Sequence, residues 1–327
     1  MRGRALLRGI GALCKTAAGI RVPARVTHCV TYRCNLDCRH CARHFTSDEM
    51  DTEEAKSLMT SFSDAGCLFW SFNGGEPLIR DDIGELIRHG KSLGFYQSMA
   101  TNGTLLPGKI DDVSGLDMVS VSLDGGKAAH EKVRPGSFDK ALEGLDCLKE
   151  SGVKTALTTV VGKHNIHRLG EVLEIARNYD AKVIFQPIRV QKEDEAAKSK
   201  EYFPTREEMG EAMEYLMGMK VAHAPIASSA AYLEAIRENW PDRMPNVKCG
   251  GGRFYCFITP DGYAAACCDM LSFRNAVGCD ARIHGARSFE SIPAHKCATC
   301  FSSVPLELNL AYTRPARTLW ERIPGKC

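Results

Sequence analysis

The sequence predicts an α/β protein: a partial parallel (β/α)6 barrel followed by a small cysteine-rich domain. Three observations carry this. From about residue 26 to residue 187, short apolar runs alternate with amphipathic segments. Short motifs rich in glycine, acids and hydroxyls follow directly after the apolar runs. Cysteines at close spacing then recur in the last part of the chain.

Val26–Tyr32 reads as a strand, and Thr52–Ala65 as a helix with Thr52 as its N-cap. Leu68–Asn73 is a strand and Asp82–Leu93 a helix. Phe95–Thr101 and Met118–Leu123 are strands, separated by a stretch without clear periodicity. Phe138–Ser151 is a helix that stops near Gly152. Val153–Val161 is a strand, Ile166–Tyr179 a helix and Lys182–Pro187 a strand. About six units fit, too few for a closed eight-unit barrel, so the expectation is an open barrel or open sheet. Glu207–Met219 is a helix with Met209, Met213, Leu216 and Met217 on a core-facing stripe. The expected divisions are a basic segment over 1–24, the barrel over 25–190, a helical linker over 191–245 and a metal-stabilised domain over 246–327.

With 327 residues and 44% hydrophobic content, the chain can bury one large core and a smaller one. A net charge of +2 gives no bulk electrostatic case for nucleic acid, and none is expected as a partner. Fifteen cysteines would suit a secreted disulfide protein, but here they fall in clusters and no export signal is clear. The compartment read from this is reducing cytoplasm. No segment reaches the roughly 18 apolar residues of a spanning helix. Arg2, Arg4, Arg8, Lys15, Arg21, Arg25 and Arg33 precede the first acid, and Leu6, Leu7, Ile10, Leu13 and Ala17 recur at helical spacing. The bland reading is a helix packed on the protein's own surface. The sharper one is peripheral contact with anionic lipid at the inner membrane face.

In such folds chemistry sits at the carboxyl ends of the strands. Cys34, Cys38 and Cys41 follow the first strand, Gly74-Gly75-Glu76-Pro77 the second and Thr101-Asn102-Gly103 the third. Ser122-Leu123-Asp124-Gly125 closes the fourth strand and Gln186-Pro187 the sixth. Three thiolates on a four-iron cubane leave one iron open to a reacting ligand. The alternative is a zinc knuckle completed by His40 or His44. The strand before the loop and the Gly-Gly-Glu-Pro motif after the next strand favour the cubane. Cys249-x17-Cys267 with Cys297-x2-Cys300 is a second four-thiol set, and on residues alone a zinc ribbon and an iron–sulfur cluster both fit it.

The Cys-x3-Cys-x2-Cys loop, with the ordered motifs after it, resembles the signature of the radical S-adenosylmethionine (SAM) superfamily over about residues 26–190. The resemblance implies a 4Fe–4S cluster on Cys34, Cys38 and Cys41, with SAM chelating the open iron. Reductive cleavage of SAM would then give a 5′-deoxyadenosyl radical that abstracts hydrogen from an unactivated carbon. It further implies that Gly74, Gly75 and Glu76 bind the SAM amino group and that His40 lies near the adenine. Ser122 and Asp124 would lie near the ribose and substrate, and Arg134 would face the SAM carboxylate. Thr101 and Asn102 would line the cavity. The electron donor would be of the ferredoxin or flavodoxin type. The C-terminal pattern resembles the twitch domain, a short relative of SPASM, implying an auxiliary 4Fe–4S cluster on Cys249, Cys267, Cys297 and Cys300. Cys256, Cys268 and Cys279 are off the full SPASM spacing, and exchange of Cys268 for Cys267 stays open.

The expected reaction is oxidation of a small molecule, with Asp124 or Asp269 assisting deprotonation. Modification of a peptide or protein is the first alternative, and of a lipid or isoprenoid the second. A plain electron carrier would coordinate every iron and has no use for Gly74–Pro77 beside an open one.

Overall fold

The computed structural model describes residues 19–41, 48–189, 200–269, 277–294 and 297–314. The basic segment over 1–18, His44 and the charged stretch over 190–199 lie outside them.

Among the described residues, nine strands form one sheet in the order β6-β5-β4-β3-β2-β1-β7-β8-β9. They are β1 (Arg25–Cys29), β2 (Phe69–Asn73), β3 (Tyr96–Thr101), β4 (Met118–Ser122), β5 (Thr155–Val161), β6 (Lys182–Pro187), β7 (Tyr255–Ile258), β8 (Tyr263–Ala265) and β9 (Val277–Asp280). The first six pair in parallel, each with its neighbour in sequence. Parallel neighbours need crossovers, and helices provide them. These are α1 (Thr52–Asp64), α2 (Ile83–Ser92), α3 (Ile110–Val113), α4 (Lys127–Val133), α5 (Phe138–Ser151) and α6 (Leu169–Asn178). The sheet does not close, as expected of a partial barrel.

The sequence explains the elements locally. Asp51, not Thr52, caps α1. Its carboxylate accepts from Glu54 N at 2.8 Å, and Glu54 accepts from Asp51 N at 3.0 Å. The Thr52 hydroxyl instead donates to Asp82 at 2.7 Å. Gly152 ends α5 at φ 72°, a left-handed conformation that favours glycine. The stretch between β3 and β4 holds a short 3-10 turn and α3.

Alternate residues along β1–β6 face opposite ways. Val26, Trp70, Phe72, Met99, Val119, Val121, Leu157 and Phe185 are buried in the core that includes Leu58, Met59 and Phe62 of α1. Phe62 meets Trp70 edge-on at 6.0 Å between centroids. The other face carries Thr27, Ser71, Ser98, Ser120, Ser122 and Thr158. Ser98 Oγ donates to Ser71 Oγ at 3.1 Å, and the Ser120 and Thr158 hydroxyls lie 2.7 Å apart. One face of the sheet is therefore packed, and the other is polar and small.

The C-terminal part continues the same sheet. β7 pairs in parallel with β1, Arg25 opposite Tyr255, and β8 and β9 follow antiparallel. Before it come α7 (Arg206–Val221) and α8 (Ala230–Asn239). Met209, Met213 and Leu216 of α7 are buried, so the methionine stripe faces the core. Two short turns, α9 (Ala281–His284) and α10 (Arg287–Glu290), and then α11 (Ser303–Thr313) complete the described fold. No helix among the described residues is long and apolar enough to cross a membrane.

Candidate active site

The cysteine loop leaves β1 and is tied down at several points. The Thr31 hydroxyl donates to Glu49 and accepts from Arg33 N at 2.9 Å, and Arg33 pairs with Glu49 at 3.0 Å. Asn35 Nδ2 donates to Thr104 Oγ1, and Asn35 Oδ1 accepts from Asn102 Nδ2, both at 2.8 Å. Arg39 N donates to Val133 O at 2.9 Å, joining the loop to α4. Cys34 is exposed, Cys41 half-buried and Cys38 buried. Burial pushes the Cys38 thiol up to about 11, against the pull of Arg134. A metal centre would stabilise the thiolates directly.

Gly74 and Gly75 are required by close approach. A Cβ on Gly74 would lie 2.5 Å from Thr31 O, and one on Gly75 would lie 2.3 Å from Arg33 O and 2.6 Å from Tyr32 O. Gly75 N donates to Thr31 O at 2.8 Å and Glu76 N to Arg33 O at 2.9 Å. The end of β2 is thus stitched to the start of the cysteine loop.

The Glu76 side chain is fully buried. It accepts from Leu78 N at 3.2 Å, Thr101 Oγ1 at 2.7 Å and Asn102 N at 2.7 Å. Burial raises its pKa, and the Asn102 amide and Thr101 hydroxyl oppose that. Three donors fill three of about four acceptor sites on a carboxylate, leaving room for one more.

Asp124 and Arg134 form a second anchor. Arg134 Nε donates to Asp124 Oδ2 at 2.7 Å, and Val160 N donates to Asp124 Oδ1 at 2.8 Å. Asp124 is fully buried and Arg134 12% exposed, so neither charge leans on water. Burial works against the carboxylate, but Arg134 outweighs it and holds its pKa well below the usual range. The other end of Arg134 reaches Cys38 Sγ at 3.7 Å and His40 Nε2 at 3.5 Å. His40 lies parallel to His164, their centroids 6.0 Å apart. Burial, then Arg134, drives the His40 pKa down to about 3, so its ring is neutral. Ser122 sits half-buried at the end of β4, beside Thr158 of β5.

The structure therefore gathers Cys34, Cys38, Cys41, His40, Glu76, Asp124 and Arg134 at one end of the sheet. Among the described residues, no three His, Cys, Asp or Glu side chains converge on a single-ion site. A cubane sets one thiolate on each iron, so it needs a wider spread than one ion does. The donor set fits such a group.

The C-terminal cysteines form a separate neighbourhood. Burial, then Asp269, then Cys249 and Cys297 push the Cys300 thiol up to about 12. Cys267 is raised too, first by burial and in part by Cys297. Asn309 of α11 binds the group together: Nδ2 donates to Cys300 Sγ at 3.6 Å, while Oδ1 accepts from Gly250 N at 2.8 Å and Tyr255 OH at 3.2 Å. Gly251 N donates to Cys249 Sγ at 3.4 Å. Cys256 is buried near Cys67. Asp269 is no free turn residue, because it pairs with Arg189 at 2.9 Å and accepts from Ser302.

Sequence reasoning missed His164, Arg189 and Asn309. His164 follows β5 at its carboxyl end, the one signal that could have marked it.

Residues 29–176 match the Radical SAM superfamily. The AdoMet-dependent heme synthase of Oleidesulfovibrio alaskensis is 30% identical over 266 residues, covering 73% of this chain and 68% of that protein. The Fe-coproporphyrin III synthase of Methanosarcina barkeri is 35% identical over 156 residues, covering 45% of this chain and 39% of that protein. Among solved structures, Streptococcus suis SuiB bound to precursor peptide SuiA superposes with TM-score 0.69 at 14% identity, over 88% of this chain and 69% of that one. The sequence matches and the cysteine loop at the end of β1 lead to one conclusion: this chain belongs to the radical SAM superfamily.

Proposed function

We propose that this protein abstracts hydrogen from an iron tetrapyrrole, the class of compound that two of its relatives are named for making, using SAM and a 4Fe–4S cluster held by Cys34, Cys38 and Cys41. The observation that carries the chemistry is the stitching of Gly75 and Glu76 to the start of the cysteine loop. The substrate class rests on the 30% identity over 73% of the chain. When bound, the cluster and SAM supply the 5′-deoxyadenosyl radical.

The chain's own residues bind and orient. Glu76 keeps one acceptor site for an ammonium group. Arg134, held by Asp124, offers a fixed cation to a carboxylate. His40, with its neutral ring, and His164 stacked beside it offer ring faces to a flat base. Arg134 and Val160 N each engage one Asp124 oxygen, and Arg134 holds its pKa low, so Asp124 acts as a positioning residue for Arg134. Cys249, Cys267, Cys297 and Cys300 would hold an auxiliary 4Fe–4S cluster able to take an electron from the substrate. Oxidation is then the outcome, with a ferredoxin or flavodoxin feeding the first cluster.

The test is anaerobic reconstitution with dithionite, SAM and Fe-coproporphyrin III. Expected are 5′-deoxyadenosine and a mass change in the tetrapyrrole, both lost in Cys34→Ala. An unchanged tetrapyrrole, with 5′-deoxyadenosine at its substrate-free level, removes the substrate assignment. Equal 5′-deoxyadenosine from Cys34→Ala and wild type removes the radical reading.

A further inference from the structure

Arg189 lies two residues past the end of β6, yet its partners come from the C-terminal part of the chain. Nη1 pairs with Asp269 Oδ1 at 2.9 Å, and Nη2 donates to Cys268 Sγ at 3.2 Å. Ser302 Oγ lies 2.9 and 2.7 Å from the two Asp269 oxygens. Beside this, Gln186 Oε1 accepts from Ser303 N at 3.2 Å and Ser303 Oγ at 3.0 Å. Arg189 Nε is buried with no partner among the described residues. An unpaired buried donor is costly and calls for an acceptor. Cys267 precedes Cys268 in the chain, and Cys300 lies two residues before Ser302. An anionic, sulfur-rich group on these cysteines would supply both acceptor and counter-charge.

We infer that Arg189 is a positioning residue that sets the reduction potential of an auxiliary iron–sulfur cluster on Cys249, Cys267, Cys297 and Cys300, with Asp269 as its counterweight. This rests on the auxiliary-cluster reading above. Reduction adds one electron to the cluster, and a nearby fixed cation favours the reduced form. N–H donors to sulfur act in the same direction, and a nearby carboxylate opposes them. Partial burial keeps these charges from being screened. Arg189→Gln should therefore lower the potential, and Asp269→Asn should raise it. A group that only holds two segments together would not give opposite signs.

The full-length Cys34→Ala/Cys38→Ala/Cys41→Ala variant isolates the auxiliary cluster. It is reconstituted anaerobically, assayed for iron and titrated redox-wise with EPR detection. In that background Arg189→Gln is expected to disfavour reduction about tenfold, a shift of about 59 mV for one electron. Asp269→Asn is expected to shift the potential upward, and Arg189→Lys to stay near the parent. No iron in the parent triple variant overturns the auxiliary-cluster reading and this inference with it. A cluster whose potential is unmoved by both Arg189→Gln and Asp269→Asn, or moved the same way by both, overturns the role of Arg189 alone. If Arg189→Gln binds no iron, Asp269→Asn decides: an upward shift supports the inference, and an unchanged or lower potential overturns it.

Discussion

Gly75→Ala probes the junction on which the site depends. The added methyl would lie 2.3 Å from Arg33 O, 2.6 Å from Tyr32 O and 2.7 Å from Arg33 C, all backbone atoms that no rotamer change can move. Ordinary contact begins near 3.4 Å, so the strands' carboxyl ends must part by 3.4 − 2.3, about 1.1 Å. The Gly75 N–Thr31 O and Glu76 N–Arg33 O bonds, at 2.8 and 2.9 Å, lengthen or break. Overpacking of this kind costs about 1–3 kcal/mol of stability, which leaves a protein of this size folded. The larger effect is on geometry. Cys34 follows Arg33 directly, so the cluster loop moves relative to Glu76. A displacement of about 1 Å can lower a rate roughly 10²-fold. The assay is 5′-deoxyadenosine formation with SAM and dithionite, alongside iron content and thermal denaturation. Expected is a folded variant with the three-cysteine loop still able to take up iron, but cleaving SAM about 10²-fold more slowly. A rate within twofold of wild type would refute the argument that this close approach sets the active geometry.

Three further outcomes are expected. His28 is 1% exposed with neither ring nitrogen partnered among the described residues, and burial, then Arg80, lowers its pKa to about 3. The unfolded chain therefore binds the proton first, so this contribution to stability is complete above pH ~6.5 and declines by about 1 kcal/mol between pH 7 and 5.5. His28→Phe should remove that increment, read as the difference in urea midpoints at the two pH values. Asp124→Asn leaves Arg134 buried without its counter-charge and should cost about 3–5 kcal/mol, and an unchanged denaturation midpoint would contradict the pairing. Asn309→Ala strips acceptors from Gly250 N and Tyr255 OH and a donor from Cys300 Sγ. In the triple-alanine background it should bind less than half the iron of its parent.

What the sequence made legible was periodic or closely spaced. The six parallel strands announce themselves as apolar runs, and five motifs fall at their carboxyl ends. Three thiols within eight residues carry their own meaning. What escaped was neither. α4 follows Gly125-Gly126, a pair that reads as loop, and no side-chain hydrogen bond caps it. In α11, Pro305 reads as a break, yet it falls in the first turn, where its missing N–H costs nothing. Thr52 and Asp51 are both good caps, and only the reciprocal bond from Glu54 selects Asp51. The pairing of β1 with β7 joins residues 230 positions apart, Arg25 with Tyr255, and no local pattern encodes that. His164 and Arg189 are single residues whose significance comes only from what the fold brings beside them.

The β1–β7 pairing has a functional meaning. Six strands alone would leave β1 and β6 as open edges, each a row of unpaired backbone groups. The C-terminal part meets both ends of that open barrel. At one end, β7 takes up the edge of β1, supported by Val22 N to Arg253 O at 2.9 Å and Met50 N to Pro260 O at 2.8 Å. At the other, Ser303 donates to Gln186 of β6, Arg189 pairs with Asp269, and Tyr232 OH of α8 donates to Phe301 O at 3.1 Å. The segment that carries Cys249, Cys267, Cys297 and Cys300 is thus held at both edges, like a strut across a gap. Its position relative to Cys34, Cys38 and Cys41 is fixed by backbone pairing at one end and a half-buried ion pair at the other. The cluster pair proposed above would need that fixed spacing to exchange electrons through a substrate, and removing the segment would expose the β1 edge as well as take away the second cysteine set.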